Sequence, residues 1–226
     1  MKGYFITGTD TEVGKTFCAT GLLAAFKQRG DSTIAMKPVA SGCQETTDGL
    51  RNEDALLLMQ EMTANATYEE VNPYAFVPPM APHLAAERDG LTINSQLLVE
   101  QAKKLSQRAD LIIIEGAGGW LAPLNEKQSF ADLALQLDIP VILVVGIRLG
   151  CLNHALLSYE NIRSRGVVVA GWIANTGLEE SANCLDIENN INSLKKRIGS
   201  PLLGVVPQIA AKEALNTVAY LDISSL

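Results

Sequence analysis

The stretch GTDTEVGKT, residues 8–16, constrains this chain more than any other. It follows a strand-length apolar run at residues 4–7 and precedes a segment of helical spacing that extends to about Gln28, where Gly30 supplies a stop. A glycine-bearing turn from strand into helix gathers backbone N–H groups at the positive end of a helix dipole, which suits it to surround a polyphosphate. In that setting Gly14 lets the backbone approach closely, Lys15 reaches the β- and γ-phosphates, and the Thr16 hydroxyl ligates Mg²⁺. The spacing is a variant: Gly8 and Gly14 enclose five residues, one more than the usual pattern.

The rest of the chain alternates in the same way. Strands are predicted at 33–36, 110–115, 141–145, 167–174 and 202–206, and helices at 52–62, from a Thr92 cap to Ala109, and at 130–137, 152–164 and 181–198. This alternation predicts an α/β protein with a mostly parallel central sheet flanked by helices. The wholly apolar run at 141–145 fits a strand buried on both faces. Pro73, Pro78, Pro79 and Pro82 make residues 71–82 a long ordered loop, neither helix nor central strand. No internal repeat or linker-like shift in composition interrupts the chain, so residues 1–226 are expected to form one domain.

Charge and composition exclude several functions. Eighteen Lys plus Arg against twenty-five Asp plus Glu give a net charge of -7, with no cationic run for a nucleic acid or an anionic membrane. The apolar runs at 111–114 and 141–145 are far shorter than the ~20 residues of a spanning helix. MKGYFITG enters a strand directly, without the pattern of a signal peptide, so the cytoplasm is the expected compartment. Cys18, Cys43, Cys151 and Cys184 are scattered and read as reduced packing thiols. With His83 and His154 the only histidines, a Cys/His zinc site is not expected.

A magnesium nucleotide site also needs carboxylates. Glu115 ends the apolar run LIIIEG, before the flexible Gly116, Ala117, Gly118 and Gly119, and ligands collect at the carboxyl ends of parallel strands. An acid there is costly without a function. Asp54, in RNEDALLL, is a weaker signal, because a helix dipole favours an acid in its first turn anyway. Lys37, in MKPVASG, ends the second strand and is expected at the same rim, where it suits an anionic intermediate. His154 reads as a packed or capping residue.

Taken together, GTDTEVGKT, KPVASG, RNEDA, EGAGGW, VGIRLGCLNHA and PLLGVVP resemble, in order and across nearly the whole chain, the dethiobiotin synthetases, ATP-dependent enzymes of biotin biosynthesis. The resemblance implies a homodimer of P-loop α/β subunits that joins 7,8-diaminononanoate, CO₂ and MgATP into dethiobiotin, ADP and phosphate. It implies that Thr16, Asp54 and Glu115 hold Mg²⁺, that Glu12, Val13, Gly14, Lys15, Thr16 and Phe17 wrap the phosphates, and that Gly116, Ala117 and Gly118 lie beside them. It implies that Lys37 is the active-site lysine, with Thr11, Lys15 and Ser41 lining the substrate pocket, and Glu12 is a catalytic candidate for taking or orienting an amine proton. Asn175 and Thr176, with Pro207, Gln208 and Ile209, are implied for the adenine pocket, and Glu213 is a candidate ribose contact. Gly150, Cys151, Leu152 and Asn153 would receive the substrate carboxylate from the neighbouring subunit. Arg148 stands where that family often has lysine, which keeps the charge but changes the donor geometry. The gathering of Lys15, Lys37 and Arg148 predicts a cationic rim in an acidic protein.

A rival class is a partitioning-type ATPase switch on the same loop. Such switches carry a lysine near the start of the phosphate loop, whereas residues 8–12 hold no lysine and two acids. Amide-forming ligases of the same superfamily carry an added glutaminase domain, for which the expected single domain leaves no room.

Overall fold

The computed structural model describes residues 1–182, 184–209 and 217–226. The chain runs β1 (Gly3–Gly8), α1 (Lys15–Arg29), β2 (Thr33–Met36), β3 (Val39–Ser41), β4 (Gln44–Thr46), β5 (Gly49–Arg51), α2 (Glu53–Glu61), α3 (Tyr68–Val71) and β6 (Tyr74–Phe76). It continues through α4 (Pro82–Arg88), α5 (Ser95–Ser106), β7 (Leu111–Gly119), α6 (Phe130–Leu137), β8 (Val141–Gly146), α7 (Cys151–Ser164), β9 (Val169–Asn175), α8 (Glu179–Ala182), α9 (Ile187–Lys195) and β10 (Leu202–Val206).

A six-stranded sheet in the order β10-β9-β8-β1-β7-β2 forms the centre, and every pairing in it is parallel. Strand alternation assigns its two faces. Phe5, Ile112, Ile114, Leu143 and Trp172 pack with α5, α6, α7 and α9, while Ile6, Ile113, Ile142, Val144 and Ile173 pack with α1 and α2. Both faces are therefore apolar, as parallel sheets require. β1 and β7 are neighbours whose outgoing connections run to opposite sides of the sheet, and this switch opens a crevice at their carboxyl ends. Among the described residues, no helix is long and apolar enough to cross a membrane.

Several boundaries differ from the sequence expectation, each for a local reason. Asn94, not Thr92, caps α5, its side chain accepting from the amides of Gln96 and Leu97 at 2.9 and 3.3 Å. The predicted helix at 181–198 divides into α8 and α9 because Asp186 starts a new helix, accepting from the Asn189 amide. Within 71–82 the chain is not all loop: β6 pairs with β3 in a two-stranded side sheet, and Pro82 opens α4, where its missing N–H costs nothing. Gly116 to Gly119 do not form a flexible turn but extend β7, with Gly119 paired to Gly8 after a register shift. His154 is exposed rather than packed. Cys18, Cys43 and Cys151 are buried thiols, and burial pushes Cys18 up to about 12.

One cap joins α3 to the end of α5. Thr67 and Glu70 form a reciprocal capping box, and the Glu70 carboxylate accepts from Arg108 Nη1 at 2.9 Å and Nη2 at 2.5 Å. The Arg108 hydrogen bonds, then the Thr67 amide, hold Glu70 at about 2, below its ordinary 4.5. A depressed carboxyl stabilises the fold fully above its unfolded value and loses that contribution as pH falls toward the folded value. Glu70→Ala is expected to cost about 1 kcal/mol at neutral pH. Thermal melts should show that difference from the wild type shrinking as the pH falls from 4.5 toward 2.

Candidate active site

The loop between β1 and α1 is shaped by close approaches that side chains would prevent. A Cβ on Gly8 would meet Val13 Cγ2 at 2.6 Å, and one on Gly14 would meet Asn175 Nδ2 at 2.2 Å. Glu12 (φ 58°) and Gly14 (φ 83°) both adopt the left-handed conformation, which is uncommon for a glutamate. The loop is tied to the strands beside it: the Thr9 amide donates to Val144 O at 3.0 Å, and Asn175 Nδ2 donates to Val13 O at 3.0 Å. Lys15 curls back to donate to Asp10 O at 2.9 Å. Burial, reinforced by the like charge of Lys37, lowers Lys15 to about 8. Lys15, Thr16 and Phe17 line a cavity of about 830 Å³, and the amides of this first helical turn have no intrahelical acceptor.

A charged group drawn from separate elements forms the floor. Lys37, just past β2, places Nζ 2.5 Å from Glu115 Oε1 on β7 and 2.9 Å from Asp54 Oδ2 on α2. Thr16 Oγ1 donates to the same Glu115 oxygen at 2.9 Å. Burial opposes the Lys37 charge, but Glu115 and Asp54 outweigh it and raise its pKa. Burial raises Glu115, whereas at Asp54 burial is overcome by the charge and hydrogen bond of Lys37, which lower it.

The backbone around this group is fixed by side chains the sequence reading missed. Tyr68 Oη accepts from the Asn52 amide at 2.7 Å and donates to Asn72 Oδ1 at 2.9 Å, and Asn72 Nδ2 donates to Lys37 O at 2.7 Å. Asn52 also caps α2, accepting from the Ala55 amide at 3.3 Å, and so sets Asp54 in the first turn. Only the Asn52 cap left a trace in the sequence. Asn72 lies in the 71–82 segment whose prolines signalled only a loop, and Tyr68 just before it, where no element was expected.

The oxygens suit a hard divalent cation. Glu115 Oε2 is buried with no hydrogen-bond partner, and Asp54 and the Thr16 hydroxyl stand beside that carboxylate. Two acids and a hydroxyl fall short of an all-protein cage, which matches a metal that also takes phosphate oxygens.

Thr11, Glu12, Ser41, Ala117 and Gly118 join Gly14, Lys15, Thr16, Phe17, Lys37, Asp54 and Glu115 around the cavity. Val13 and Gly116 are instead buried beside it, Val13 in the core and Gly116 against Phe5. Asn175 is buried with its amide on Val13 O and its carbonyl accepting from the Gly177 amide at 3.0 Å, so it braces the loop from behind. The Thr176 amide and hydroxyl both donate to Val206 O, which places Pro207, Gln208 and Ile209 next to that segment. Gly150, Cys151, Leu152 and Asn153, at the start of α7, do not line this cavity. Glu213 lies outside the described residues.

The expected cationic rim is corrected in part: among the described residues Lys15 bonds only the Asp10 carbonyl, but the other two charges are paired. Arg148 binds Asp10 at 2.5 Å and Glu180 at 3.4 Å, and Lys37 is neutralised by two carboxylates.

A parallel sheet with a glycine-bearing loop leading from β1 into α1 defines a P-loop nucleotide-binding protein. Residues 2–214 match the family described as an AAA domain. Solved structures with this fold include the MinC:MinD cell division protein complex of Aquifex aeolicus (15% identity, TM-score 0.58, 96% of this chain and 86% of that one). A ParA family ATPase from Chlorobium tepidum TLS is similar (16%, TM-score 0.54, 96% and 90%). Sequence relatives are much nearer. The ATP-dependent dethiobiotin synthetase BioD of Cellvibrio japonicus is 48% identical over 225 residues, covering 100% of this chain and 97% of that one. BioD 1 of Escherichia coli O157:H7 is 42% identical over 226 residues, covering 100% and 99%. The chain belongs to the ATP-dependent dethiobiotin synthetase family.

Proposed function

We propose that this protein carboxylates and cyclises 7,8-diaminononanoate with CO₂ and MgATP, giving dethiobiotin, ADP and phosphate. The observation that carries the reading is the meeting of Lys37, Asp54, Glu115 and Thr16 beside the phosphate loop, in one cavity. Residues 1–226 act as one P-loop α/β domain, in the cytoplasm, as half of a homodimer.

One amine of the substrate adds to CO₂ and loses a proton to give a carbamate, a poor electrophile. Transfer of the ATP γ-phosphoryl group to a carbamate oxygen makes a carbamic-phosphoric anhydride. The second amine then attacks the carbonyl carbon, the C–O bond to phosphate breaks, and the nitrogen loses a proton as the cyclic urea closes. No covalent bond to the protein is needed, so its work is positioning and electrostatics. Lys15 and the loop amides hold the phosphates, and Lys37 balances the carbamate's negative charge. Glu12 presents a carboxylate at the cavity for an amine proton, while Thr11 and Ser41 orient the substrate. Thr16, Asp54 and Glu115 hold Mg²⁺, which when bound offsets charge on the phosphate oxygens. Asn175, Thr176, Pro207, Gln208 and Ile209 flank the adenine end.

Gly150, Cys151, Leu152 and Asn153 serve the neighbouring subunit's site, where the α7 N-terminus receives the substrate carboxylate. Leu149, 97% exposed, and Leu157, 63% exposed, offer apolar surface for that contact. Mixing Lys37→Gln and Asn153→Ala chains should restore activity in heterodimers, and a dead mixture that still dimerises would refute the shared site.

Purified protein is expected to release phosphate only when diamine, bicarbonate and MgATP are all present, with the cyclic urea detected by mass spectrometry. Phosphate release independent of the diamine, without the urea, would favour an ATPase switch instead.

A further inference from the structure

The cavity floor holds a charge group that is buried at Lys37 and Glu115 and open to the cavity at Asp54, whose side chain is 39% exposed. Lys37 and Glu115 side chains are 5% and 1% exposed, and Lys37 Nζ is shared between Glu115 Oε1 and Asp54 Oδ2. Burying such a group costs desolvation that mutual attraction repays only when each charge is well matched. Here the match is incomplete, because Lys37 Nζ is divided between two carboxylates and Glu115 Oε2 remains buried without a hydrogen-bond partner. Lys15 acts on both carboxylates through space, but its ammonium donates to Asp10 O, so Glu115 Oε2 gains no donor from it. The floor therefore leaves one buried carboxylate oxygen open to a further cation.

The carboxylates that hold Lys37 are also those read above as metal ligands. Glu115 Oε1 accepts from both Lys37 and Thr16, and Asp54 Oδ2 accepts from Lys37. A divalent cation between the same two carboxylates competes with Nζ for their charge, and two cations packed that closely repel strongly in a largely buried site. The lysine stem allows Nζ to move while its backbone stays fixed. The Lys37 amide donates to Val71 O at 2.9 Å and its carbonyl accepts from Asn72 Nδ2 at 2.7 Å. Lys37 already lines the cavity, as does Ser41, so an ammonium leaving the carboxylates has space to enter.

We infer that Lys37 is the built-in counterion of the metal site, occupying the place of a divalent cation between Asp54 and Glu115 and driven into the cavity when that cation binds. The inference rests on the assignment of Thr16, Asp54 and Glu115 as ligands. It makes metal loading and the presentation of the lysine to a bound anion a single event. A lysine held by two acids before loading would have little charge to offer the carbamate.

Mn²⁺ titration of the nucleotide-free full-length protein, followed by electron paramagnetic resonance, tests the competition. Lys37→Met is expected to bind Mn²⁺ at least about tenfold more tightly than wild type, since a like charge has been removed from the site. Displacement has its own readout in the wild-type chain: labelling of Lys37 by an amine-reactive reagent, measured by peptide mass spectrometry, should accelerate at saturating Mn²⁺. That arm needs no variant to fold. Unchanged or weaker Mn²⁺ binding by Lys37→Met overturns the inference. Tighter binding without faster labelling also overturns it, because repulsion alone would then suffice. Asp54→Asn separates the two levels of the reading. If it abolishes Mn²⁺ binding while Lys37→Met does not tighten it, the ligand assignment stands and only the counterion role fails. If Asp54→Asn leaves Mn²⁺ binding intact, both fail.

Discussion

Lys37→Gln is expected to lower turnover by roughly a thousandfold, the scale of losing one preorganised electrostatic contact to developing charge. ATP affinity should stay within several-fold of the wild type, because Lys37 bonds to Glu115 and Asp54 while Lys15 and the loop amides belong to the phosphate loop. Single-turnover kinetics and nucleotide titration calorimetry measure the two effects separately. Collapse of ATP binding would instead assign Lys37 to the nucleotide site. The same substitution leaves two neighbouring carboxylates without their cation, one of them fully buried. Unpairing a buried charge costs about 3–5 kcal/mol, so the metal-free variant should melt well below the wild type. Added Mg²⁺ should recover part of that loss.

Gly14→Ala should have the second largest effect, through geometry rather than charge. Its φ of 83° already disfavours a side chain, and the added Cβ would come within 2.2 Å of Asn175 Nδ2, the group that holds Val13 O. The left-handed conformation costs roughly 1–2 kcal/mol for alanine. Displacing Asn175 adds about 1–3 kcal/mol for a buried amide and carbonyl left without partners. Because this damage falls on the phosphate loop, ATP affinity should drop by about tenfold or more, given that about 1.4 kcal/mol is tenfold. Gly30→Ala is the control: its φ is 99° and nothing lies within 4 Å of the added Cβ. That variant should lose some thermal stability with ATP binding unchanged. If Gly14→Ala binds ATP as well as Gly30→Ala does, the Asn175 brace is unimportant to the loop.

Asn175 marks where sequence reading loses resolution. The family resemblance implied an adenine contact, whereas the fold adds a second task, holding a loop 162 residues away in the chain. Arg148 is similar: its charge was evident, but its neutralisation by Asp10 depends on β8 lying beside β1. The extension of β7 through its glycines was hidden for a related reason. A Gly-Ala-Gly-Gly run has little intrinsic preference for a strand, and Gly119 is held there by pairing with Gly8.

The sequence by itself determined the elements whose causes are local. Apolar runs at strand length, helical periodicity, the Gly30 stop and the unusual GTDTEVGKT turn are all short-range patterns, and together they specified a parallel α/β sheet with an anion-binding loop at its rim. The tertiary structure alone decided which charges meet. Lys37, Asp54, Glu115 and Thr16 come from different elements, and they converge because β7 lies between β1 and β2 while Asn52 and Asn72 fix α2 and Lys37 relative to the same Tyr68 hydroxyl. Burial and charge pairing depend on distances through space, which no spacing along the chain encodes.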